Sequence, residues 1–72
     1  MLPGEIDGRR FLRAMARFGW GVSKTKGSHR ILKREGSSRI LIVAFHDTLS
    51  RNSVRRALRE AGIDEDTFQD SL

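Results

Sequence analysis

Cysteine is absent from the 72 residues of this chain. Disulfides and zinc–thiolate sites are therefore excluded, although domains this small are often stapled by one or the other. The same absence fits a reducing compartment. Long apolar runs are also missing, and none approaches the roughly 20 residues that a membrane-spanning helix needs. The opening segment, Met1-Leu2-Pro3-Gly4-Glu5, lacks the basic start and apolar stretch of a secretory signal. The expectation is a cytoplasmic protein with no membrane partner. Internal repeats, low-complexity tracts and linkers are not found. No HExxH, Walker loop or GxSxG occurs, the two histidines lack metal-motif spacing, and the carboxylates are scattered. No metal site and no cofactor are expected.

What is present is positive charge. Fourteen Lys and Arg stand against nine Asp and Glu, a formal charge of +5, and the isoelectric point is about 11.1. Such a balance on a small domain suits a polyanionic partner, nucleic acid first. The distribution sharpens this. Glu60, Asp64, Glu65, Asp66 and Asp70 crowd the C-terminal end, while Arg9 to Arg59 is strongly basic.

Three helix starts share one grammar. Asp7 can cap a helix over about Gly8 to Phe18, with Ile6 and Phe11 as a hydrophobic staple and Phe11, Leu12, Met15 and Phe18 as its apolar stripe. Gly19 stops it, with Trp20 placed to fold back on Met15. Ser50, stapled by Leu49 and Val54, starts a second helix that carries Val54, Ala57, Leu58 and Ala61, and Gly62 and Ile63 close it against Leu58. Ile63, Asp64 and Phe68 then open a short third helix over about Glu65 to Asp70.

Between the first two helices the period drops to two. Strands are expected over Trp20 to Lys24, Ser28 to Arg34 and Arg39 to Phe45, separated by a Thr25-Lys26-Gly27 turn and a Glu35-Gly36-Ser37-Ser38 hairpin loop. Ile40 to Phe45 is apolar throughout, which predicts a strand that is central or covered on both faces. The fold expected is a single α+β domain over residues 1–72, with its core at about 6–69. It has an antiparallel three-stranded meander, two helices on one face and the other face open to a ligand.

Chemistry concentrates in Lys24-Thr25-Lys26-Gly27-Ser28-His29-Arg30. Gly27 lets backbone approach a ligand closely. Lys24, Lys26 and Arg30 can neutralise phosphates, and Ser28 offers a hydroxyl. His29 opens a strand that would hold it rigidly, and imidazole exchanges protons near neutral pH. RNA carries its own nucleophile, the 2′-hydroxyl. A protein that cleaves RNA through it need only position the backbone, move a proton and stabilise extra negative charge. The plainer alternative is a histidine that merely sits beside a turn, with Gly27 and Ser28 serving strand geometry alone. His46 reads first as a loop residue beside Asp47 and hydrogen-bonded to it, the alternative being a second acid/base group or phosphate contact. Trp20 and the phenylalanines read as core. Arg9, Arg13 and Arg17 on one helix, and Arg51, Arg55 and Arg59 with adjacent Arg56 on the other, fit either solvated faces or contacts to RNA phosphates.

The order of Asp7-Gly-Arg-Arg-Phe-Leu-Arg-Ala-Met-Ala-Arg-Phe-Gly-Trp20, Lys26-Gly-Ser-His-Arg-Ile-Leu32, a hairpin, a strand, His46 and Val54-Arg-Arg-Ala-Leu-Arg-Glu-Ala-Gly-Ile63 resembles the HicA-type mRNA interferase toxins from Asp7 to Phe68. The most specific piece is Gly27-Ser28-His29. The resemblance implies the αβββα fold of double-stranded-RNA-binding domains, cleavage of mRNA with His29 catalytic, and a HicB-type antitoxin that covers the site. Where the family's third strand often carries a proline two residues before its histidine, this chain has Ala44. Two readings compete with a toxin ribonuclease: a non-catalytic RNA-binding module of the same fold, and a protein-interaction adaptor whose basic face meets an acidic partner.

Overall fold

A computed structural model describes residues 1–72. In chain order its elements are β1 (Glu5–Asp7), α1 (Gly8–Arg17), β2 (Trp20–Lys26), β3 (His29–Arg34), β4 (Ile40–Ala44), β5 (Thr48–Ser50), α2 (Arg51–Ala61) and α3 (Glu65–Asp70). α1, β2–β4 and α2 follow the expected αβββα order, and α3 is the short C-terminal helix. No helix is long and apolar enough to cross a membrane.

The capping grammar accounts for the helix boundaries. The Asp7 carboxylate accepts from Arg10 N–H at 3.2 Å, the Ser50 hydroxyl from Ser53 N–H at 3.2 Å and the Asp64 carboxylate from Thr67 N–H at 3.1 Å. Each satisfies an N–H group that the first turn leaves free. α2 ends at Gly62 in the left-handed conformation (φ 73°), and Ile63 N–H reaches back to Leu58 C=O at 2.9 Å, closing a Schellman-type cap. α1 ends one residue earlier than expected. Phe18 is its cap and donates to Met15 C=O at 3.0 Å, before Gly19 turns the chain at φ 87°.

One core holds the layers together. Phe11, Ala14 and Met15 of α1, Val54, Ala57 and Leu58 of α2 and Phe68 of α3 bury against Trp20, Leu32, Leu41 and Val43 of the sheet and Phe45 just after β4. The Phe11 ring meets Phe45 edge-on at 6.4 Å and Phe68 at 5.9 Å, and Phe18 stacks on Phe68 at 6.2 Å. These are favourable aromatic separations. Leu2 lies outside the expected core region, yet it is buried with the rest.

Strand order departs from expectation. The sheet runs β2-β3-β4, so β3 is central and the apolar β4 lies at an edge. Two short hairpin connections put the middle strand in the middle. Leu41 and Val43 face the helices, whereas Ile40 and Ile42 are 51% and 59% exposed on the open face. The continuous run in β4 thus comes from an apolar open face, not from cover on both sides. A second, two-stranded sheet was not expected. β1 and β5 pair antiparallel, with Glu5 opposite Ser50, Ile6 opposite Leu49 and Asp7 opposite Thr48. Three-residue strands are too short to show alternation in a sequence. This clasp sets the caps of α1 and α2 side by side, and Arg51 reinforces it by donating through N–H to Gly4 C=O (2.9 Å) and through Nε to Leu2 C=O (2.8 Å).

Candidate functional site

The register of β2 against β3 builds the site. Lys26 pairs with His29, Thr25 with Arg30 and Lys24 with Ile31, but Val22 pairs with Leu32, so Ser23 is an extra, bulged residue. Strand side chains alternate between faces. Counted from buried Trp20 without a bulge, Lys24 and Lys26 would point toward the helices. The bulge shifts the alternation by one residue, and both lysines join His29 on the open face. The turn is also tighter than expected. β2 continues through Lys26, leaving Gly27-Ser28 as a two-residue hairpin loop with Gly27 at φ 61°. A glycine at the first central position is what a type II′ turn requires.

On the far side of β3, His29 pairs with Ala44 and Ile31 with Ile42. The open face therefore carries Lys24, Lys26 and Lys33 beside Ile31, Ile40 and Ile42, with His29 near one end. The register places no carboxylate on it. Directly opposed side chains on one face are near neighbours, about 4.5–5.5 Å apart at Cβ, so the Lys26 ammonium can reach what the His29 ring touches. The chain's one ion pair, Arg55 to Glu65 at 2.7 Å, lies elsewhere. The lysines are exposed and free of carboxylate partners.

Arg30 is not part of this cluster. It pairs with Val43 and so points to the helix side. There its Nη1 donates to the carbonyls of Phe45 (2.5 Å) and Ser28 (3.1 Å), and its guanidinium lies over the Phe45 ring. Expected among the lysines as a phosphate contact, it sits instead behind the turn, which it buttresses from the helix side. Ser28 is half-buried. Its carbonyl accepts from Phe45 N–H at 3.0 Å and its hydroxyl makes no hydrogen bond within the chain.

His29 also lines a cleft of about 260 Å³ along the free edge of β4, together with Ile42 and Ala44 from the sheet and Ser53, Arg56 and Glu60 from α2. The short side chain at Ala44 leaves the imidazole open to this cleft. Arg39, just before β4, donates to Glu60 C=O at 3.0 Å. The end of α2 therefore lies beside the start of β4, and its first turns lie beside Ala44. Ser53 and Glu60 carry no signal of their own in the sequence, and Arg56 stands out there only within a helix stripe. The one available signal is the i, i+3, i+7 spacing of 53, 56 and 60, which shares one helix face.

His46 lies in the loop after β4 and is exposed, with no hydrogen bond to Asp47. It lines a separate hollow with Arg9, Leu12 and Phe45. No three of the His, Asp and Glu residues converge in a group able to hold a metal ion.

Fold and site together describe a small α+β domain with one histidine on a cationic, carboxylate-free sheet face. The sequence profile described as HicA toxin of bacterial toxin–antitoxin matches residues 8–63, most of the chain. The chain belongs to the HicA toxin family and is a toxin of a toxin–antitoxin system, with an antitoxin as its implied partner. No curated protein and no solved structure shows significant similarity to it.

Proposed function

We propose that this toxin is an endoribonuclease that cleaves mRNA by intramolecular attack of the ribose 2′-hydroxyl, with His29 as general acid and base. The observation that carries the reading is the bulge-set register, which aligns Lys24 and Lys26 with His29 on a face without carboxylates. A phosphodiester drawn to the lysines lies against the imidazole.

The chemistry closes without a cofactor. O2′ attacks phosphorus as neutral imidazole takes its proton. The O2′–P bond forms, the P–O5′ bond breaks, and O5′ acquires a proton from the imidazolium. The products are a 2′,3′-cyclic phosphate and a 5′-hydroxyl. Lys26, opposite His29, offsets the charge that builds on the non-bridging oxygens, and Lys24 holds the neighbouring phosphate. Gly27 allows close approach of the RNA, and Ser28 adds a hydroxyl donor. Arg30 holds the turn in shape from behind. A HicB-type antitoxin that covers His29 would block the reaction and stabilise this small domain by mass action.

The test is to incubate wild type and His29→Ala with RNA in EDTA. Wild type is expected to cut and leave cyclic phosphate ends, and the variant is expected to be inert. Cleavage surviving in the variant removes His29 from the mechanism, and cleavage stopped by EDTA removes the metal-free reaction. RNA binding without cleavage by wild type would leave the binding-module reading.

A further inference from the structure

We infer that the cleft beside His29 is a base pocket, and that Glu60 and Arg56 select a guanine adjacent to the cleaved linkage. The inference rests on the ribonuclease reading for the position of the scissile phosphate, but the pocket itself is argued from its own side chains.

Glu60 is the one carboxylate lining this cleft. In a chain of net charge +5, a carboxylate placed beside a phosphate-binding face opposes binding of the backbone. It becomes favourable only if it accepts hydrogen bonds from the ligand. RNA donors on base edges are the N–H groups, and guanine alone presents two adjacent donors, N1–H and N2–H, on its Watson–Crick edge, next to the O6 acceptor. A carboxylate with a neighbouring arginine matches that edge: Glu60 accepts from N1–H and N2–H while Arg56 donates to O6.

The two heads are available for this. Arg56 and Glu60 stand one turn apart on the same face of α2, close enough for an i, i+4 ion pair, yet they form none. Both are exposed. Ile42, Val43 and Ala57 supply an apolar lining for the base plane. The volume, about 260 Å³, falls just short of the roughly 300 Å³ where pockets for larger ligands begin, so it suits one ring system. Because α2 runs back along β4, Ser53 lies toward the His29 end and Glu60 toward the far end. A base inserted here reaches away from the imidazole, as the base of a nucleotide flanking the reacting phosphate must.

The experiment measures binding apart from cleavage. Short 2′-O-methyl oligouridines, which lack the attacking hydroxyl, carry one guanine, adenine or cytosine at a central position. Wild type is expected to bind the guanine probe at least about fivefold tighter, the lower end of what a two-hydrogen-bond base contact provides. Glu60→Gln is expected to lose the preference while melting at the same temperature as wild type, since only the side-chain charge of an exposed residue changes. Equal binding of all probes, no binding of any, or a preference unaltered in Glu60→Gln would each overturn the pocket. Cleavage of ordinary RNA is assayed in parallel. Cutting without guanine preference in binding removes the pocket and leaves the ribonuclease. Guanine preference without cutting leaves the pocket and removes the ribonuclease.

Discussion

The Arg30 guanidinium carbon lies 3.9 Å from the centroid of the Phe45 ring, and the same side chain donates to the Phe45 and Ser28 carbonyls. One arginine therefore joins the end of β4 to the turn that carries His29. Lysine offers neither the planar stack nor the fork. Arg30→Lys is expected to lower stability by about 1–2 kcal/mol through lost stacking and charged hydrogen bonds, read as a lower urea midpoint. Because this cation is turned from the open face, removing its charge in Arg30→Gln should leave the salt dependence of RNA binding unchanged. A reduced salt slope in Arg30→Gln would return Arg30 to the phosphate contacts.

Gly8 lies under the same ring. A Cβ there would collide with Phe45 Cε2 and fall 2.7 Å from Phe45 Cδ2 and 3.1 Å from Asp47 O. The backbone also donates from Gly8 N–H to Asp47 C=O at 2.8 Å. Gly8→Ala has to displace the ring that Arg30 stacks on, and should cost about 1–3 kcal/mol, as overpacking of a filled core does. Thermal melting checks it, and an unchanged midpoint would show that the ring moves freely.

Gly27 poses a different constraint. Nothing lies within 4 Å of a Cβ there, but φ is 61°. Only backbone strain should be felt, about 1–2 kcal/mol for Gly27→Ala. Gly27→Asn should recover part of that, since asparagine is among the residues that primed hairpin turns accept at positive φ. Denaturant titration of the two variants gives the order. An alanine variant as stable as wild type would mean that the turn had re-formed with another geometry.

Lys26 should act through charge. Lys26→Ala is expected to weaken binding of every RNA sequence alike and to reduce the slope of log K against log salt by about 1. Fluorescence anisotropy at several salt concentrations measures this. An unaltered slope would mean that Lys26 touches no phosphate.

The helices could be read from the sequence because their signals are local. Asp7, Ser50 and Asp64 each cap the helix they precede, and the α3 range, Glu65–Asp70, is as expected. His29, Lys24, Lys26, Gly27 and Ser28 were also legible as a cluster, since they are neighbours in the chain. What depended on distant parts of the chain was not. Nothing in Val22-Ser23-Lys24 announces a bulge, so the shared face of the lysines and His29 was unforeseen. Adjacency in the chain groups Arg30 with the lysines, although alternation on β3 sends it the other way. Ile40 and Ile42 look like core until β4 proves to be an edge. Glu60 enters the site only because α2 folds back along β4.

The β1–β5 clasp carries a dynamic consequence. The β2–β4 meander closes through short loops, whereas Ile6 and Leu49 meet across most of the chain, a long-range closure of the kind that forms late. The ladder itself has only three residue pairs, and small units of this kind open ahead of the global transition. Opening there frees the start of α2 while His29 and the lysines keep their register. Amide protons at Ile6 and Leu49 should accordingly exchange with solvent before that of Leu32, and an RNA or antitoxin that bridges β4 and α2 should slow that exchange most.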